Sequence, residues 1–466
     1  MAAGHTGTWM LSAARSPRGA AHTAAGFAQG RHATEGTVRA RRARRLRAVS
    51  ALVAVAAGVL ALGGFAAVPG ARAAAPGPQP LADEWWFPAW EVQGDVWPLS
   101  EGAGVTVAVL DTGVQANLPD LRGAVVPGGD TTGAGTDGMT DTDTANDGHG
   151  TAVAALIAGQ GRGPAGTAVV GIAPRAKILP VRVGAAGPDN SEDVAAGIRY
   201  AVGHGAQVIN MSFGGPTLSP SSCDGTEQDA IAYALAHNVV VVAGAGNSGN
   251  AGNPPVDPAS CAGVLAVGGV NPNGSVWQGS ERQPYVAVAA PGNYVGFLGR
   301  DGRYFPHGYG TSAASAFVSG EAALVRSRYP RMPWYQVVAR IIDTALSRGN
   351  PVPNDGYGYG IIRLDRAVNA SKFPVPASAP NPVYAAYKRW LASSQGRQFA
   401  AAGHPSPASA HPSPRGRRTA AAAPGTGSGG SPALLIGIAA AALAAAGAGS
   451  AVAVSRRRSR SGPAGR

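Results

Sequence analysis

Five short apolar runs recur through the middle of the chain: V-T-V-A-V-L (105–110), K-I-L-P-V-R-V (177–183), Q-V-I-N-M-S (207–212), V-V-V-V-A-G (239–244) and V-L-A-V-G-G (264–269). Their apolar positions are mostly consecutive rather than alternate, the pattern of strands covered on both faces, as in a parallel sheet. Between the runs, residues 149–158, 191–203 and 226–237 have helical length and spacing. Strands alternating with helices predict an α/β fold: three layers, with a mainly parallel central sheet and helices on both faces. In such sheets chemistry gathers just beyond the carboxyl ends of the strands. The residues that follow each run are therefore the candidates.

Asp111 closes the first run and is followed by Thr112-Gly113. A carboxylate at the end of an apolar strand is costly without a partner, although a turn or cap aspartate fits the same position. His149 lies in D-G-H-G-T-A-V-A, where Gly148 and Gly150 let other backbone come close; a lone histidine is as readily structural. Asn247, in A-G-A-G-N-S-G after the fourth run, has the composition of a turn residue. The stretch H-G-Y-G-T-S-A-A-S-A-F-V-S-G (307–320) offers Ser312, Ser315 and Ser319, and by itself it reads equally as a helix start built of small residues.

Taken together the segments say more. V-A-V-L-D-T-G-V, D-G-H-G-T-A-V-A-A-L-I-A-G, G-A-G-N-S-G and G-T-S-A-A-S-A-F-V-S-G follow one another in the order Asp, His, Asn, Ser. On these motifs the chain resembles the subtilisin-like serine proteases, the subtilases. Further matches are S-F-G-G (212–215), G-I-A-P (171–174), A-A-P-G (289–292) and Y-G-I-I-R-L-D-R-A-V (359–368), so the resemblance covers about residues 100–370. It implies a serine endopeptidase acting on polypeptide through an acyl-enzyme, with Asp111, His149 and Ser312 catalytic. Asn247 and the backbone N–H of Ser312 would hold the oxyanion. Ser212-Phe213-Gly214 and the edge that includes Ala245 and Gly246 would grip the substrate by strand addition. The residue types suit these tasks: a serine hydroxyl is too weak an acid to attack an amide unaided, so an imidazole must take its proton, and a carboxylate must fix the imidazole's tautomer. Ala313 stands where the family usually carries Met; it should not touch the chemistry.

No cofactor is implied. Asp120, in L-P-D-L, matches a position that ligates calcium in some subtilases, but residues 160–169 contain no Asn or Asp to complete such a site. Asp141, Asp143 and Asp147 read as an acidic solvated loop. Structural calcium stays open, and no metal ligand is assigned.

The ends address the protein. The basic run R-A-R-R-A-R-R-L-R (39–47), the apolar stretch 48–68 and Ala71-Arg72-Ala73 have the order of a secretory signal, which makes residues 1–73 leader and signal peptide. Residues 74–100 form an N-terminal arm, dense in Trp and too short for the usual folding-assisting prodomain. The catalytic domain is expected over 101–373, then a Pro/Ala/Ser/Gly-rich linker over 374–432 with a short helix inside 383–399. The uncharged stretch 433–454 is long enough to cross a bilayer at about 1.5 Å per residue. Arg456-Arg457-Arg458 places the tail 455–466 in the cytoplasm and the catalytic domain outside the cell membrane. In an exported chain Cys223 and Cys261 should pair. The net charge of +12 resides in these ends: residues 82–372 carry 17 basic and 25 acidic side chains, which disfavours nucleic acid as a partner.

Signal, short arm, protease core, linker, span and basic tail resemble one branch in particular, the mycosins, membrane-anchored subtilases that accompany type VII secretion systems. The resemblance implies a partner in the secretion membrane complex. The competing reading is a subtilase fold that braces such a complex, with catalysis secondary or blocked. The intact Asp111, His149, Asn247 and Ser312 favour the enzyme.

Overall fold

The computed structural model describes residues 78–164, 168–184 and 190–403. The five apolar runs lie in one sheet as β1 (Thr106–Asp111), β3 (Lys177–Arg182), β4 (Val208–Met211), β6 (Val240–Gly244) and β8 (Leu265–Val270). The short β2 (Gly129–Asp130) and β9 (Val286–Pro291) flank them. The strand order is β2-β3-β1-β4-β6-β8-β9 and every pairing is parallel. Buried positions run consecutively, all six in β8 and β9, as expected of strands covered on both faces. The register pairs Leu110 with Met211 and Met211 with Ala243. Asp111, Ser212 and the turn after Gly244 therefore leave the sheet side by side.

Two helices, Ser191–Gly203 and Gly225–Ala236, pack together on the sheet. Their starts are capped by Asn190, which accepts from the Asp193 N–H at 2.7 Å, and by Asp224, which accepts from the Thr226 N–H at 2.8 Å. A second pair, His149–Ala158 and Thr311–Arg328, packs against the sheet and against each other. The latter is buried on all sides from Ala314 to Arg326. Small residues permit that: a Cβ on Gly320 would stand 2.6 Å from Ile172.

The N-terminal arm covers what the sheet leaves open on this central helix. Trp86, Phe87, Trp90, Val92 and Val96 are buried, with the Trp86 and Trp90 rings 4.9 Å and 5.6 Å from Phe317. Two short antiparallel pairs finish the domain: β5 (Gly215–Pro216) with β7 (Val256–Asp257), and β10 (Asn293–Leu298) with β11 (Tyr304–Tyr309). Cys223 and Cys261 are disulfide-bonded and tie the start of helix Gly225–Ala236 to the turn after β7.

The stretch read as linker from 374 is folded to 403. Helix Pro382–Leu391 starts at Asn381, whose side chain accepts from the Tyr384 N–H, and is followed by helix Ser394–Ala401. Val383, Tyr387 and Phe399 are buried, and Tyr387 sits edge-on to Trp334 at 5.8 Å. Its Pro/Ala-rich composition concealed an aromatic face that the domain covers. The rest of the linker, the leader, the candidate span 433–454 and the tail lie outside the described residues. Among the described residues no helix is long and apolar enough to cross a membrane.

Candidate active site

Asp111 sits where β1 ends, 2% exposed. Its Oδ1 accepts from its neighbour's Thr112 N–H at 2.8 Å and lies 2.8 Å from His149 Nδ1. His149 is the first residue of its helix, entered through Gly148 at φ 96°, a backbone region that favours glycine. The adjacent Gly150 is equally constrained: a Cβ there would meet the Gly113 carbonyl at 2.1 Å.

Two further carboxylates hold this pair in place, and they correct the picture of a solvated acidic loop. Asp141 and Asp143 are each 1% exposed. Asp141 accepts from Thr112 Oγ1 (2.8 Å), the Asp143 N–H (3.0 Å), the Thr151 N–H (2.8 Å) and Thr151 Oγ1 (2.6 Å). Asp143 accepts from the Ala145, Asn146 and His149 N–H groups. They tie β1 to the start of the His149 helix, and their oxygens are already taken by protein donors. Asp147 stays exposed. Asp120 is likewise occupied, accepting from the Arg162 and Gly163 N–H groups, while its neighbour Glu84 accepts from Leu81 and Val170. Oxygens faced by N–H donors do not suit a calcium site.

Electrostatics follow from this arrangement. Burial works against the imidazolium, but the Asp111 carboxylate outweighs it, with Asp143 and Asp141 adding to the pull. The pKa of His149 is raised to about 9. The ring keeps 30% of its surface open to solvent.

Ser312 opens the helix that starts at Thr311, and its hydroxyl donates to the Ser212 carbonyl at 3.0 Å. The other two serines are out of reach of a substrate: Ser315 and Ser319 are fully buried, bonded to the Ser312 carbonyl and to Asn210 Oδ1. The Asn247 Oδ1 accepts from the Thr311 N–H at 2.8 Å and from Thr311 Oγ1 at 3.0 Å. With two donors fixed on the oxygen, the amide's Nδ2 faces the other way. A Cβ placed on Gly310 would lie 3.6 Å from that Nδ2 and 3.7 Å from the Ser312 nitrogen. The Asn247 amide and the Ser312 nitrogen thus lie within reach of one point beside Gly310, and an oxyanion is stabilised by donors that converge in this way.

A groove of about 740 Å³ is lined by Asp111, His149, Ser212, Phe213, Gly214, Asn247 and Ser312 together. Gly246 lines a smaller cavity of about 230 Å³ beside Ser312. Ala245 does not reach either: it is fully buried, and its N–H is bonded to the Val267 carbonyl. Its contribution is to hold the edge, not to touch a ligand. Sequence reasoning missed Thr311, which aims Asn247; Thr112, Asp141 and Asp143; and His307 and Tyr309 of β11, which line the groove opposite the strand edges. The proximity of Thr311 to Ser312 was a usable signal. Thr112 beside Asp111 was another; Asp141, Asp143, His307 and Tyr309 meet the site only in three dimensions.

The profile of the Subtilase family matches residues 102–360. The chain is 35% identical to Mycosin-1 of Mycobacterium tuberculosis over 346 residues, covering 63% of this chain and 75% of the relative. It is 36% identical to Subtilisin DY of Bacillus licheniformis over 270 residues, 57% of this chain and 92% of the relative. Fervidolysin of Fervidobacterium pennivorans is 32% identical over 330 residues, 64% of this chain but only 45% of that protein's length. Among solved structures, MycP1 from the ESX-1 type VII secretion system superposes with a TM-score of 0.55 at 32% identity, covering 66% of this chain and 92% of that one.

Proposed function

The chain belongs to the subtilase family of serine proteases and is related to the mycosins; from that premise we propose that it is a membrane-anchored, extracytoplasmic endopeptidase whose catalytic residues are Asp111, His149 and Ser312. The observation that carries the proposal is the meeting, in one groove, of a 2.8 Å Asp111–His149 pair with Ser312 and the Asn247 amide. A pure brace needs none of these.

The steps follow from the geometry. In this reading the Ser312 hydroxyl leaves the Ser212 carbonyl for Nε2 of His149, which lines the same groove. Oγ then bonds to the scissile carbonyl carbon while its proton passes to Nε2. The carbonyl oxygen becomes an oxyanion held by Asn247 Nδ2 and the Ser312 N–H, at the amino end of an 18-residue helix whose dipole favours negative charge. As the C–N bond breaks, His149 gives its proton to the leaving amine. Water, activated by the same imidazole, releases the acid and restores Ser312. Throughout, Asp111 holds Nδ1–H and balances the charged ring.

By likeness to the mycosins, the segment 433–454 would anchor the protein, and a type VII secretion complex would be its partner. Fluorophosphonate labelling of membranes tests the catalytic reading. Wild type should label, and Ser312→Ala and His149→Ala should not; a folded wild type that does not label refutes it. Carbonate extraction tests the anchor, which requires the chain to stay with the membrane. A Ser312→Ala protein that still supports secretion would assign the partner role to the fold rather than to its chemistry.

A further inference from the structure

We propose that Glu281 directs this protease to lysine or arginine on the acyl side of the scissile bond. The inference rests on Ser312 as nucleophile and names the side chain that the pocket beside it takes. That pocket, about 230 Å³, opens at Ser312 between the edge Ser212–Pro216 and the edge Gly244–Ser248, and ends at Pro254 and Val256. The side chain of the residue whose carbonyl Ser312 attacks must enter it.

Every residue lining this pocket is neutral except Glu281. The Glu281 side chain is 1% exposed and its carboxyl lies directly behind Gly246: a Cβ on Gly246 would come within 2.4 Å of it. One oxygen, Oε1, accepts from the Ser248 N–H at 3.2 Å; the other, Oε2, has no hydrogen-bond partner among the described residues. Buried carboxylate oxygens without a donor are rare, and each calls for an explanation. No cation among the described residues provides one. The adjacent Arg282 points away, its Cγ packed beside Gly356, and Glu281 takes part in no ion pair among the described residues.

A lysine or arginine side chain in the pocket would bring the missing donor and the missing charge together, where the low-dielectric surroundings strengthen the pairing. A neutral side chain leaves Oε2 bare, and an acidic one meets like charge. The free pocket already shows the cost of that bareness: burial pushes the Glu281 carboxyl up to about 7. Of the groups around it, Tyr285 is held neutral by burial and Asp257 acts on Tyr285; Gly246, Ser248, Pro254, Val256 and Thr311 do not titrate. Selectivity for the cation therefore grows as pH rises through neutrality.

Two peptide aldehydes that differ only in a terminal arginine or its neutral isostere citrulline, competed against fluorophosphonate labelling of the full-length membrane protein, decide the matter. The arginine compound should block labelling at a concentration at least about tenfold lower, with the gap wider at pH 8 than at pH 6; the ratio cancels the titration of His149. Glu281→Gln should shrink the gap to about twofold or less. Labelling with equal potency of the two aldehydes on wild type overturns the inference and leaves the protease reading intact. Absence of labelling in a folded wild type removes both. If Glu281→Gln does not fold, the arginine–citrulline comparison on wild type still decides.

Discussion

Raising the pH tests the Asp111–His149 pair most directly, because a general base works only without its proton. An ordinary histidine titrates near 6.5. Here burial opposes the charged ring, yet the carboxylate 2.8 Å away wins and lifts the pKa to about 9. At that value about one molecule in a hundred carries a neutral imidazole at pH 7, and about half do at pH 9. The second-order rate of Ser312 labelling by an uncharged fluorophosphonate should therefore rise roughly fiftyfold between pH 7 and pH 9. With an unperturbed imidazole it would rise by only about a third. Asp111→Asn should move the midpoint back toward the ordinary value while lowering the maximum by about 10⁴, the loss known for this substitution in another serine protease. Stability runs the other way. A histidine whose folded pKa is raised contributes stability that is complete below the unfolded value of 6.5 and lost as pH climbs through about 9. The melting temperature should thus fall over the window in which labelling accelerates. A wild-type rate that levels off by pH 7.5 would show that the carboxylate does not govern the imidazole, and the reasoning would fail.

Other predictions follow from contacts already described. Gly310→Ala puts a methyl 3.6 Å from Asn247 Nδ2 and 3.7 Å from Ser312 N, at φ 142°; turnover should fall at least about 10²–10³, the loss already established in this family for one oxyanion donor, and a loss under tenfold would place the oxyanion elsewhere. Thr311→Val removes one of the two donors that hold the Asn247 oxygen, leaving only the backbone N–H at 311, and takes the acceptor from the Gly246 N–H; kcat should drop by about tenfold or less with KM nearly unchanged, as for an interaction made mainly in the transition state. Trp86→Ala removes a fully buried ring from the Phe317 face and should cost about 3–5 kcal/mol, read by thermal melting, with labelling intact below the transition. Replacing Cys223 and Cys261 by Ser opens a loop of sequence separation 38 and should cost about 4 kcal/mol on the chain-entropy account, measured by denaturant unfolding.

The sheet was legible because its strands are buried on both faces, so the apolar runs are continuous and bounded by polar or glycine-rich turns. The helix His149–Ala158 falls on the expected residues, and Gly225–Ala236 begins and ends one residue early. What was less legible had mixed composition. β10 and β11 are partly exposed and carry Gly, Pro and His within the strands; such residues read as loop. Residues 382–401 look like linker by composition, and only packing such as that of Tyr387 against Trp334 makes their aromatic face a buried one.

The site divides along the same line. Asp111, His149, Asn247 and Ser312 could be proposed from the sequence because each stands at the end of a strand, in the turn after one or at the start of a helix, where a local motif suffices to mark it. The residues that give them their properties have no such motif. Asp141 acts because Thr112 and Thr151 happen to face it from a strand end and a helix, and it looks in sequence like any loop aspartate. Glu281 looks like a surface residue, flanked by Ser280 and Arg282, until the turn of Gly246 covers it. Chemistry of this kind is set by what surrounds a charge, and burial is the one property that a local pattern of residues does not carry. Candidate catalytic residues are therefore readable from sequence here, whereas pKa and substrate preference become arguable only once the fold shows which carboxylates have lost their water and which of their oxygens still lack a donor.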